Sequence, residues 1–67
     1  MIRTPVSSSR MKSVGWEDNV MEIEFNDDAI YQYYDVSKSD YIDFINSPSL
    51  GSALHRFDKI HSYKRIF

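Results

Sequence analysis

From Met21 to Phe25 apolar and acidic residues alternate without a break, with Met21, Ile23 and Phe25 set against Glu22 and Glu24. Successive side chains of a strand point to opposite faces, whereas a helix would scatter these residues around its circumference. The segment Val20 to Phe25 is therefore expected to be a strand in a sheet with one apolar face and one acidic face. Asn26, Asp27 and Asp28 turn the chain into a further strand, Ala29 to Tyr34, rich in aromatics. A two-residue loop would set Tyr31 and Tyr33 opposite Glu24 and Glu22. A three-residue loop pairs Ile23 with Tyr31 and Met21 with Tyr33. The second register gathers the apolar side chains and is preferred. It requires a left-handed backbone at Asp28, which Asp tolerates better than most residues.

Upstream, Met11 to Trp16 reads as a short strand whose apolar positions, Met11, Val14 and Trp16, break alternation and predict a bulge or bend, helped by Gly15. Residues 1–9, with Pro5 and the serines Ser7, Ser8 and Ser9, predict an extended N-terminal arm, leaving 10–67 as a single domain. Downstream, Ser37 is placed to cap a helix, Asp40 follows three residues later, and Val36 can staple against Tyr41. The buried stripe of that helix is expected to be Tyr41, Phe44 and Ile45. Ser47 as cap and Pro48 at the first helical position open a second helix, with Leu50, Ala53, Leu54, Phe57 and Ile60 on one face. The tail Tyr63 to Phe67 suits either a short strand or an ordered extension. The expected fold is α+β, a three-stranded antiparallel meander followed by two helices packed on one face.

At 67 residues the chain has room for one core, with a net stability of only ~3–5 kcal/mol. The absence of cysteine excludes disulfides, thiol chemistry and cysteine-ligated zinc, and suits a reducing cytoplasm. No apolar run approaches the ~20 residues of a membrane span, and Met1 to Arg10 lacks the apolar centre of a signal peptide, so no membrane partner is expected. His55 and His61 are separated by about 120° on a continuous helix, which is not ligand spacing. Two glycines, Gly15 and Gly51, make no phosphate-binding loop. Asp27 with Asp28 suits a turn, and Glu22 with Glu24 an exposed strand face. No catalytic residue, cofactor or metal is expected, and the domain reads as a non-catalytic binding module.

The net charge of −2 conceals an acidic middle between basic ends. Residues 1–16 carry Arg3, Arg10 and Lys12 and no acid; residues 17–43 carry nine acids against Lys38 alone; residues 44–67 carry Arg56, Lys59, Lys64 and Arg65 against Asp58. Tyr31, Tyr33 and Tyr34 beside such bases contain the ingredients for base stacking and phosphate neutralisation. The preferred register, however, turns Tyr31 and Tyr33 inward and leaves Glu22 and Glu24 outside, where they repel phosphate. Contact with RNA, either tRNA or single-stranded, is then expected to use Arg3, Arg10, Lys12, Arg56, Lys59, Lys64 and Arg65. The alternative is a protein-interaction or self-association module working through a sheet edge or the acidic face.

Val6, Ser8, Ser9, Met11, Val14, Gly15 and Trp16, then Phe25, then Tyr31, Gln32, Tyr33, Tyr34 and Val36, and finally Tyr41 and Tyr63 form a pattern. It resembles the KTSC domain family, a short bacterial domain found alone and at the C-terminus of some lysyl-tRNA synthetases. The likeness runs from Val6 over nearly the whole chain. Asp28 stands where the family has a hairpin glycine, and Ser37 stands where proline is common, serine and proline both suiting a helix start. The resemblance implies a bacterial or phage source, and implies RNA binding only through association with a tRNA-charging enzyme.

Overall fold

A computed structural model describes residues 1–67. Along the chain the elements are β1 (Arg3–Pro5), β2 (Met11–Glu17), β3 (Val20–Phe25), β4 (Ile30–Tyr33), α1 (Lys38–Ile45), α2 (Leu50–Ile60) and β5 (Tyr63–Arg65). The strands form one antiparallel sheet in the order β1-β2-β3-β4-β5. The fold is α+β, but the expected three-stranded meander, β2 to β4, is only the centre of a five-stranded sheet. The two added strands are its edges, each three residues long, too short to show a periodicity of their own. Pro5 is tolerated in β1 because an edge strand can spare a donor.

The central hairpin takes the three-residue register, with Met21 opposite Tyr33 and Ile23 opposite Tyr31. Asp28 has φ of 71°, the left-handed conformation this loop demands. The preceding turn closes on Asp18 and Asn19, both with positive φ, which matches the twist of a two-residue hairpin. The bulge falls at Lys12, where the pairing of β2 with β3 shifts between Met11 and Ser13. That extra residue brings Met11 and Val14 to the same buried face.

Both helices cover this face. Phe44 of α1 and Ala53, Leu54 and Phe57 of α2 meet Met11, Val14, Met21, Ile23 and Tyr33, with Val36 sealing the entry to α1. Ser37 caps α1, its hydroxyl accepting from the Asp40 amide at 3.0 Å. The cap of α2 is Ser49 rather than Ser47, accepting from the Ser52 amide at 3.3 Å. Ser47 instead accepts from the Ser49 amide, so Pro48 lies in the link and not at the first helical position. Ile45 and Ile60, expected in the buried stripes, are each the last residue of a helix and stay 38% and 72% exposed.

The opposite face of the sheet carries no helix, yet it is not a plain solvated surface. Arg3, Gly15, Glu22, Gln32 and Lys64 form one cross-strand row. The Arg3 stem crosses Gly15, and its guanidinium pairs with Glu22 while donating to Ser13 Oγ at 3.2 Å. Gln32 donates to the other Glu22 oxygen at 2.9 Å, and Tyr34 donates to Gln32 at 3.1 Å. Glu22, expected on an exposed acidic face, is thereby only 8% exposed. A buried carboxylate is tolerable because these donors replace its water.

A Cβ at Gly15 would sit 2.5 Å from the Ile2 carbonyl oxygen and 3.1 Å from Arg3 Cγ. Gly15→Ala is therefore expected to unseat β1 and cost about 2 kcal/mol. Gly51→Ala, where an added methyl meets nothing within 4 Å, is expected to stabilise α2 by about 0.5 kcal/mol. Urea titrations of the two variants check both signs, and opposite shifts of the midpoint are the expected result.

Candidate functional site

Because β5 pairs with β4, Tyr63 lies opposite Tyr33 and Arg65 opposite Tyr31, all on the helix-covered face. Helix α2 does not reach across to this edge. A cleft of about 480 Å³ remains between α2 and the β3–β4–β5 part of the sheet. Its volume falls within the ~300–1,000 Å³ usual for small-ligand sites.

The floor is aromatic. Phe25 and Tyr31 meet edge to face at 5.4 Å between ring centroids, Tyr33 and Tyr63 lie 5.2 Å apart, and Tyr31 and Tyr63 6.1 Å. These rings differ in what they show to solvent. Tyr33 is buried, Tyr31 is half-buried, and Tyr63 is 50% exposed. The Tyr33 hydroxyl donates to Asp58 Oδ1 of α2 at 2.6 Å, tying the floor to the helix wall. Burial, and then this bond to a carboxylate, push the Tyr33 phenol far above its ordinary value of 10.0, so it stays protonated.

The seven basic residues expected to contact RNA do not form one surface. Strands β1 and β5 are opposite edges of the sheet. Arg3 is held by Glu22, and Lys12 by Asp28, whose hydrogen bond and charge raise the lysine pKa. Lys64 faces the other side of the sheet in the row with Gln32. Arg56 and Lys59 are exposed on α2 without lining the cleft, Arg56 lying about 160° around the helix from Asp58. Arg10 and Arg65 alone among the seven come together, at the cleft rim. Neither pairs with an acidic side chain, and Arg65 Nε donates to the Phe67 backbone oxygen at 2.8 Å.

Asp58 and Tyr63 line the cleft without a sequence signal that marks them as site residues. Asp58 is the single acid of the C-terminal segment and lies four residues after the buried Leu54, a spacing that sets both on one helix face. Tyr63 lies in the tail whose structure the pattern left open. Tyr31 belongs to both layers, packed against the core yet lining the cleft. No group of three His, Asp or Glu side chains is arranged to hold a metal. His61 instead ends α2, its Nδ1 3.0 Å from the Tyr34 carbonyl oxygen. No helix is long and apolar enough to cross a membrane.

The model of the KTSC domain family matches residues 7–63. The chain is similar to the crystal structure of a KTSC domain protein from Yersinia pestis, at 33% identity and a TM-score of 0.83, over 98% of this chain and 97% of that one. No curated protein matches.

The raised Tyr33 pKa means that the folded domain keeps a proton which the unfolded chain releases above its value of 10.0. Stability is thus complete below that pH and falls as pH rises beyond it, with Lys12 and Tyr41 shifted in the same direction. Urea midpoints measured between about pH 8 and about pH 11 are expected to fall. Tyr33→Phe is expected to lose about 1–2 kcal/mol at neutral pH and to show a shallower alkaline decline.

Proposed function

The chain belongs to the KTSC domain family, and from that premise and the cleft geometry we propose that it is a non-catalytic module binding single-stranded RNA. Bases stack on Tyr31 and Tyr63, and phosphates sit at Arg10 and Arg65. The observation that carries this reading is the meeting of two arginines, neither paired with an acidic side chain, at a cleft floored by partly exposed aromatic rings. Stacking on an aromatic platform contributes ~1–3 kcal/mol per base, and each phosphate neutralised adds a salt-dependent increment.

Arg56, Lys59 and Lys64 act at longer range, raising the local potential without touching the bound strand. Arg3 and Lys12 have no part in binding, since their charges are already committed to Glu22 and Asp28. A cytoplasmic location, which the cysteine-free sequence suits, gives access to RNA. The competing protein-interaction reading is weaker because each free sheet edge is three residues long and offers few backbone groups for strand addition.

Anisotropy titrations of a labelled single-stranded RNA at low and moderate salt test the proposal. Arg10→Ala with Arg65→Ala is expected to raise Kd about tenfold and to reduce the slope of log K against log salt by about 1.4. Arg56→Ala with Lys59→Ala is expected to change Kd less than about threefold. Absence of binding at low salt, or binding indifferent to salt and to the cleft pair, overturns the reading.

A further inference from the structure

Within the cleft one group does not fit a surface that holds phosphate alone. Asp58 is a carboxylate on the wall of a site rimmed by two arginines, yet it is ion-paired to neither. Its Oδ1 accepts from the Tyr33 hydroxyl, which fixes the orientation of the group and leaves Oδ2 open. The other carboxylate lining the cleft, Asp27, accepts from the Ala29 amide at 3.1 Å within its own turn, and no bond ties it to the aromatic floor. Asp58 is thus an oriented acceptor with spare lone pairs beside stacking rings.

Resting on the RNA reading above, we propose that the cleft selects guanine, with Asp58 accepting from the Watson–Crick edge of a base stacked on Tyr63. The argument is one of complementarity. A carboxylate repels phosphate and attracts donors, so the arginine rim and Asp58 polarise the cleft and orient a nucleotide across it. Guanine is the common base whose Watson–Crick edge sets two donors side by side, N1–H and the N2 amino group, matching the open Oδ2 and the remaining lone pair of Oδ1. Adenine and cytosine place a ring acceptor next to their amino donor, and uracil flanks its single N–H with two carbonyls. Each of these sets a lone pair against Asp58 and loses affinity by repulsion as well as by the missing bond. Tyr33 acts as a positioning residue, holding Asp58 in place without reaching the ligand.

The test uses the whole chain and short labelled oligouridines carrying one central guanosine, inosine, 2-aminopurine or adenosine. Guanosine is expected to bind about tenfold more tightly than adenosine or unsubstituted oligouridine, a ratio in the range of one good bidentate base contact. Inosine, lacking the amino group, and 2-aminopurine, lacking N1–H, are expected to fall between. Asp58→Asn, which keeps an acceptor for Tyr33 but places a donor in the site, is expected to erase the guanosine preference while retaining the salt-dependent binding of all probes. Equal affinity of the wild-type chain for every probe, or a preference for another base, overturns the guanine proposal and leaves the RNA reading standing. Failure of every probe to bind at low salt overturns both. The wild-type comparison needs no variant, so an unstable Asp58→Asn would not blur the outcome.

Discussion

Everything in this domain is hung on the register of the β3–β4 hairpin. A slip of one residue would exchange the faces of β4, sending Tyr33 to the side of Glu22 and leaving Met21 and Ile23 without their partners. The device that prevents the slip is local: a three-residue loop closed by Asp28 in the left-handed region, with Asp27 accepting from the Ala29 amide. Lys12, pushed outward by its bulge, meets Asp28 across the exposed side of the loop. With that register set, Phe44, Leu54 and Phe57 have a continuous apolar floor to cover.

The uneven distribution of charge along the chain turns out to be partly internal wiring. Bases of the first segment reach acids of the second: Arg3 finds Glu22, and Lys12 finds Asp28. These pairs differ in kind. Lys12 and Asp28 are exposed and contribute little to stability, whereas the Arg3–Glu22 pair is largely withdrawn from water and specifies where β1 docks. The bases of the C-terminal segment find no acidic side chain as partner. Apart from Lys38 on α1, the positive charge not paired with an acidic side chain therefore sits on α2, β5 and the cleft rim, while unpaired acids such as Asp18, Asp40 and Asp43 stay on a turn and on α1.

How much could be read beforehand follows from how local each signal is. The alternation of Met21 to Phe25, the Asp28 turn and the Ser37 cap are each written within a few residues, and the structure carries all three. Strands β1 and β5 are not so written, because three residues have no period and their pairing depends on partners far along the chain. The choice between Ser47 and Ser49 as cap was equally undecidable locally, as both flank Pro48 and either hydroxyl can reach an amide two or three residues on. Gly15 looked like a bulge residue and proves to be the space through which Arg3 passes. Of the candidate site, Arg10 and Arg65 were in the expected set, but their convergence depends on the β4–β5 pairing. Asp58 was legible only as an odd charge.

The bond between Tyr33 and Asp58 separates what this fold must keep from what it is free to change. Tyr33 is at once core wall and cleft floor, so substitution there is felt as loss of stability first. Arg10 precedes the first long strand and Arg65 ends the last short one, both exposed and neither part of the core. Under the RNA reading proposed above, substitution at those two positions alters binding while leaving the core untouched. The fold thus separates a hydrophobic interior, which must pack, from a charged rim that can be altered without touching it.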